Sequence, residues 1–135
     1  SGTLFSAFGP QALQDRLENS DAKVLITTRE LYPRFLKIKK SLPNLEKVIL
    51  IDEENRTNFL EEKELITKKA PSGCWWFYSL LKQASDSLKA THMNETDPAF
   101  MLYTSGTTGK PKGVVHQQQA IVYERKTAEF VLDIK

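Results

Sequence analysis

The chain has 135 residues, the size of one ordinary domain, with 19 basic against 17 acidic side chains and a formal net charge of +2. Near-balanced charge with no basic stripe among the aromatics argues against nucleic-acid binding, and no apolar run approaches the length of a membrane span. Cys74 is the only cysteine, which excludes an internal disulfide and a cysteine-based zinc site; with no charged-then-apolar leader at Ser1-Gly-Thr-Leu4, a cytoplasmic location is expected.

Gly9-Pro10 places proline where a first helical residue is expected, and Leu13 and Leu17 share one face of a helix ending near Asn19. Val24-Leu25-Ile26 then predicts a short strand buried on both faces, closing in Thr27-Thr28. Pro33 suits another helix start, and Phe35, Ile38 and Leu42 recur at helical spacing until Pro43-Asn44. Val48-Ile49-Leu50-Ile51 predicts a second buried strand. Two apolar strands separated by a helix fit a right-handed parallel βαβ crossover. This part is expected to be a Rossmann-like α/β layer, but Gly9 has no G-x-G-x-x-G company, so a nicotinamide or flavin site is not expected.

From Glu53 to Lys69 the composition turns polar and charged, predicting a surface excursion whose carboxylates are most simply solvated. Pro71-Ser-Gly73 signals a turn. Trp75, Trp76, Phe77 and Tyr78 predict a helix start docked on the core, continued by Leu80, Leu81, Ala84 and Leu88. A polar connection then leads through Thr96-Asp97-Pro98 to the stretch with the most chemistry.

That stretch is Phe100-Met-Leu-Tyr-Thr-Ser-Gly-Thr-Thr-Gly-Lys-Pro-Lys-Gly-Val-Val-His116. Apolar residues on both sides predict a β-loop-β hairpin, followed by a helix beginning near Gln117-Gln-Gln119. Gly106, Gly109 and Gly113 permit close backbone approach to an anion, and consecutive N–H groups can form a nest for it. Thr104, Ser105, Thr107 and Thr108 supply hydroxyls, and Lys110 and Lys112 supply positive charge. The spacing is not that of a Walker A loop: counting six from Gly106 reaches Pro111, and from Gly109 reaches Val114. The residues predict a phosphate-gripping loop of another kind.

Tyr103-Thr-Ser-Gly-Thr-Thr-Gly-Lys-Pro-Lys-Gly-Val-Val-His116 resembles the AMP-binding motif of the adenylate-forming superfamily, which includes acyl-CoA synthetases, luciferases and peptide-synthetase adenylation domains. Leu4 to Thr28 and Asp97-Pro-Ala-Phe100 resemble its acetyl-CoA synthetase branch. The resemblance implies an internal piece of a large N-terminal AMP-binding domain: residues 1–52 as the βαβ part, 53–95 as a variable charged and aromatic connection, and 96–135 as the phosphate-loop hairpin and following helix. It implies an ATP-dependent ligase that adenylates a short-chain carboxylic acid, acetate first, and passes the acyl group to CoA with ATP, Mg²⁺ and CoA as cofactors. Phosphate contacts are implied for Thr104, Ser105, Gly106, Thr107, Thr108, Gly109 and Lys112, a rim contribution for Lys110, and a site-lining position for His116. No catalytic residue and no metal ligand is assigned to this stretch, because the superfamily's adenine-reading, ribose-binding and catalytic-lysine segments have no counterpart in it. The isolated piece is therefore expected to be inactive and to self-associate through exposed strand edges. Two alternatives stay open: a non-catalytic nucleotide-binding or regulatory module, and a synthetase for a longer, aryl or amino acid.

Overall fold

The computed structural model describes residues 1–66, 69–104 and 110–132. The chain divides into two compact units: residues 5–88, and residues 1–4 together with 89–135.

In the first unit, helix α1 (Pro10–Asn19) starts with proline in its first turn and closes in a Schellman arrangement. The Asp21 N–H donates to the Glu18 carbonyl and the Ala22 N–H to the Leu17 carbonyl. Asp21 takes the left-handed conformation this requires, at φ 47°; aspartate tolerates it better than most residues. The Asp21 carboxylate accepts from Asn44 Nδ2 at 2.8 Å and faces Lys23 Nζ at 3.1 Å. These two partners hold it below its ordinary range.

Strands β1 (Val24–Thr28) and β2 (Lys47–Ile51) pair in parallel, Leu25 beside Val48 and Thr27 beside Leu50. The predicted α/β crossover is therefore present. Its helix is shorter than the apolar spacing suggests: α2 covers only Tyr32–Leu36, and a 3-10 turn follows over Lys39–Ser41. Phe35, Ile38 and Leu42 are nonetheless all buried, so the spacing identified the inward face correctly while the backbone changed its winding. Burial of β1 on both faces is not observed. Leu25 is buried, but Val24 and Ile26 are 47% and 53% exposed. Alternate residues of a strand point to opposite sides, and only one side of β1 is covered by the described residues.

Two further expectations are corrected. The charged stretch after Asp52 is not merely a surface excursion: it contains α3 (Glu53–Leu60), capped by the Asp52 carboxylate on the Asn55 N–H. An aspartate followed by two glutamates is a helix-start signal of the ordinary kind, and it sits in this sequence. The aromatic cluster is also not a single helix start. Cys74–Trp76 forms a third strand, β3, parallel to β2, and α4 begins only at Phe77 and ends at Gln83. Leu88, expected on its apolar face, is 92% exposed beyond the helix end. Strand and helix share the four rings: Phe77 and Tyr78 meet edge to face at 5.3 Å, and Tyr78 also lies 5.4 Å from Phe59 of α3.

The sheet order β1-β2-β3 puts Leu25, Val48 and Cys74 in one row and Thr27, Leu50 and Trp76 in the next on the same face. Tyr32 of α2 reaches that face, its hydroxyl 3.2 Å from Cys74 Sγ. All residues classed as buried among the described ones lie between Leu17 and Asn55.

Candidate functional site

The second unit carries the motif. Strands β4 (Pro98–Thr104) and β5 (Lys112–Gln117) form the expected antiparallel hairpin, and α5 (Gln119–Phe130) follows. Pro98 lacks a ladder N–H and stands at the first position of β4, where a strand tolerates it; the register shifts between Pro98 and Phe100. The far edge of β4 is met by the first residues of the chain. The Met101 N–H donates to the Ser1 carbonyl at 2.7 Å, and Gly2 forms a parallel bridge with Met101. A Cβ on Gly2 would stand 3.4 Å from the Met101 carbonyl oxygen, so a bare glycine fits that approach best.

Register sorts the side chains onto two faces. Thr104 lies opposite Lys112, Leu102 opposite Val114 and Phe100 opposite His116, all on one face; Tyr103 opposite Gly113 and Met101 opposite Val115 take the other. At the loop end of the hairpin a hydroxyl and an ammonium therefore stand side by side, both exposed. Lys110 is also exposed and lies just before β5. Ser105, Gly106, Thr107, Thr108 and Gly109, five of the expected phosphate contacts, lie outside the described residues.

His116 occupies the other end of the same face. Four residues along a strand amount to about 13 Å, so His116 and Lys112 are not parts of one phosphate contact. The imidazole is half-buried and stacks on Phe100, centroids 4.7 Å apart and planes 12° from parallel. It borders an open depression of about 390 Å³ that Thr96, Gln117, Gln119, Ala120 and Tyr123 also line. Gln119 Nε2 donates to Gln117 Oε1 at 2.7 Å.

The start of α5 is tied rather than open. The Gln118 N–H donates to the Asp97 carbonyl at 2.9 Å and the Gln119 N–H to the Glu95 carbonyl at 3.0 Å. Asp97 in turn accepts the Asn94 N–H on its carboxylate at 2.7 Å. The helix end thus spends two of its free donors on the turn that leads into β4. Nothing local in the sequence assigns Thr96, Phe100 or Tyr123 to the site. An aromatic four residues before the loop was visible, but only the pairing register sets Phe100 against His116.

Elsewhere, Cys74 is half-buried and its thiol donates to Tyr32, a packing contact of the sheet. Among the described residues no three His, Cys, Asp or Glu side chains converge as metal ligands, and no helix is long and apolar enough to cross a membrane.

Comparison with known proteins places this arrangement. The profile described as AMP-binding enzyme matches residues 2–133. The chain is 38% identical over 137 residues to the acetyl-coenzyme A synthetase of Bacillus subtilis, covering 100% of this chain and 21% of that protein. It is 34% identical over 143 residues to that of Escherichia coli K12, covering 96% of this chain and 20% of that protein. Among solved structures, an anthranilate CoA ligase in complex with anthranoyl-AMP superposes with a TM-score of 0.76 at 24% identity, over 96% of this chain and 22% of the other. An acyl-CoA synthetase of Brucella canis superposes with a TM-score of 0.73 at 23% identity, over 99% of this chain and 21% of the other. At these identities the structural likeness speaks for the fold alone. The chain spans about a fifth of the length of the curated relatives it matches.

Proposed function

The chain belongs to the AMP-binding enzyme family, and on that premise we propose that it forms part of the large N-terminal domain of an AMP-forming acyl-CoA synthetase whose acid is acetate. Within that domain we assign residues 1–52 to the βαβ part, 53–95 to a variable connection and 96–135 to the phosphate hairpin with its helix. The observation that carries the reading is the hairpin register: Thr104 and Lys112 face each other where the Ser/Thr/Gly loop leaves and returns. The 38% identity to an acetyl-coenzyme A synthetase supports the choice of acid.

The reaction proposed has two steps. A carboxylate oxygen attacks the α-phosphorus of ATP, the bond to the β-phosphate oxygen breaks, and pyrophosphate leaves with its electron pair. The CoA thiol gives up its proton to solvent and its sulfur attacks the acyl carbon; the bond from that carbon to the phosphate oxygen breaks, and AMP departs with the electron pair. Negative charge gathers on phosphate oxygens in the first step, so this chain's contribution is positioning and electrostatic stabilisation. Lys112 supplies a fixed positive charge and Thr104 a hydroxyl donor on one face. Ser105, Gly106, Thr107, Thr108 and Gly109 supply hydroxyl and backbone donors between them, and Lys110 adds charge at the rim. His116, remote from the loop end, lines the neighbouring depression and takes no part in proton transfer.

Mg²⁺, when bound, would neutralise charge on the phosphate oxygens; no residue of this chain is assigned to hold it, and its ammonium groups would address the phosphate directly. Adenine, ribose and CoA are left to other parts of the enzyme, so these residues alone are expected to lack synthetase activity. A cytoplasmic location accords with one free, half-buried thiol. Exposed Val24 and Ile26 on the sheet favour self-association of the isolated stretch.

The test is acid-dependent ATP–pyrophosphate exchange by the full enzyme containing this stretch. Exchange with acetate that falls about 100-fold or more in Lys112→Ala, and less than about tenfold in Lys110→Ala, is the expected result for loss of a transition-state contact. Exchange with a longer or aromatic acid and not acetate would reassign the substrate. Absence of exchange with every acid, from a protein that still binds ATP, would favour a regulatory module.

A further inference from the structure

We infer that Phe100 is a positioning residue for acid activation: its ring fixes the plane of the His116 imidazole, and the imidazole so held offers a hydrogen bond to the carboxylic acid. The two residues are directly opposed across the β4–β5 ladder, and their rings stack at 4.7 Å with planes 12° apart. His116 lines the depression beside α5, and Phe100 does not. Whatever Phe100 does for a molecule in the depression therefore passes through His116. Among the described residues no hydrogen bond reaches the imidazole, so the stack is the contact that sets its plane. Both ring nitrogens lie in that plane and hydrogen-bond along it. A ring held flat against its neighbour has its polar edge restricted to few directions, and such preorganisation lowers the ordering cost of binding. The stack follows from cross-strand pairing and does not depend on what covers the hairpin.

Charge decides which substrate His116 meets. One face of the hairpin carries Thr104 and Lys112 at the loop end and the Phe100–His116 stack at the other, about 13 Å along the strand. The ammonium and hydroxyl suit the phosphates. The depression at the far end is lined by Thr96, Pro98, His116, Ala120 and Tyr123 among others, with no lysine, arginine, aspartate or glutamate. A neutral wall with apolar groups and a few placed donors suits the alkyl part and carboxylate of a small acid better than a triphosphate. This placement rests on the acid-activating reading proposed above.

The test is ATP–pyrophosphate exchange by the full enzyme containing this stretch, with apparent KM values for ATP and for the acid that supports exchange. Phe100→Leu and Phe100→Met, two apolar replacements of different shape, should each raise the KM for the acid about threefold to tenfold, the scale of one aromatic pair. The KM for ATP and the maximal rate should stay within about twofold of wild type. Phe100→Tyr, which keeps the ring, should retain the wild-type KM for the acid. In a His116→Leu background, Phe100→Leu should add less than about twofold, because its route of action is gone. Equal rises in both KM values, or a full additional effect in the His116→Leu background, would assign Phe100 to hairpin packing and overturn the inference. An unchanged KM for the acid in both apolar variants would overturn it while leaving the acid-activating reading intact. Wild-type enzyme that exchanges with no acid would remove that reading and the inference together.

Discussion

The ring of Phe100 lies 4.7 Å from the imidazole of His116, with the two planes only 12° apart. The residues are directly opposed across the β4–β5 ladder, so the pairing register itself brings the rings face to face. The stack holds the imidazole at the edge of the depression beside α5. Phe100→Leu keeps apolar bulk but removes the ring, and should destabilise the hairpin by about 0.5–1.5 kcal/mol. Nuclear magnetic resonance would report it directly: the ring-current shift of the His116 imidazole protons should vanish in Phe100→Leu and persist in Phe100→Tyr.

Asn55 ties α3 to the segment that follows it. Its amide oxygen accepts the Ile66 N–H at 2.7 Å, while Nδ2 donates to the Ile66 carbonyl at 3.2 Å and to Asp52 Oδ2 at 3.1 Å. The side chain is 4% exposed. Replacing it with leucine leaves the Ile66 groups without these partners. An unmade buried hydrogen bond costs about 1–3 kcal/mol, so Asn55→Leu should lower the urea midpoint of the chain by a corresponding amount. An unchanged midpoint would mean that water replaces the clasp at no cost.

Leu50 is 1% exposed, the most deeply buried large side chain described. Leu50→Ala removes its packing at the centre of the parallel sheet and should cost about 2–5 kcal/mol, depending on how far the surroundings relax. Ile26→Ala, on the uncovered face of the neighbouring strand, should cost far less. Paired urea titrations decide it; equal losses would mean that both faces of β1 are covered in solution.

Tyr32 gives the α/β unit a dependence on alkaline pH. Burial disfavours its phenolate, and the adjoining Cys74 sulfur adds to the effect, pushing the hydroxyl from 10.0 up to about 12. Between those values the folded chain holds a proton that the unfolded chain has lost. Stability from this group is therefore complete below pH 10 and declines as pH rises toward 12. Tyr32→Phe should flatten that decline in urea midpoints measured across the interval. Cys74→Ala should keep most of it, because burial is the larger cause.

Much of the architecture was legible before any coordinates. Local runs of aliphatic, β-branched and aromatic residues marked β1, β2 and both hairpin strands, because such side chains favour a pleated, extended backbone. Pro10 marked the start of α1 for an equally local reason: its fixed φ suits a first helical turn. The spacing of Phe35, Ile38 and Leu42 named the inward side chains even where the backbone left the α-helical winding. The β3 strand was less legible. Three residues, Cys74 to Trp76, are too few to display a period, and the aromatic residues after them continue as helix.

The sequence by itself determined the chemistry at the loop: hydroxyls, glycines and two lysines at set intervals, an arrangement suited to phosphate. Which residues meet was a matter for the tertiary structure. Pairing register sets Thr104 against Lys112 and Phe100 against His116, and it puts Lys112 and His116 at opposite ends of one face. Strand order makes Cys74 a neighbour of Tyr32, 42 positions away. Such meetings depend on long-range pairing, which local propensity does not encode, and on which faces the rest of the fold covers. The exposure of Val24 and Ile26 has the same origin: their apolar character is local, but their burial depends on what packs against them.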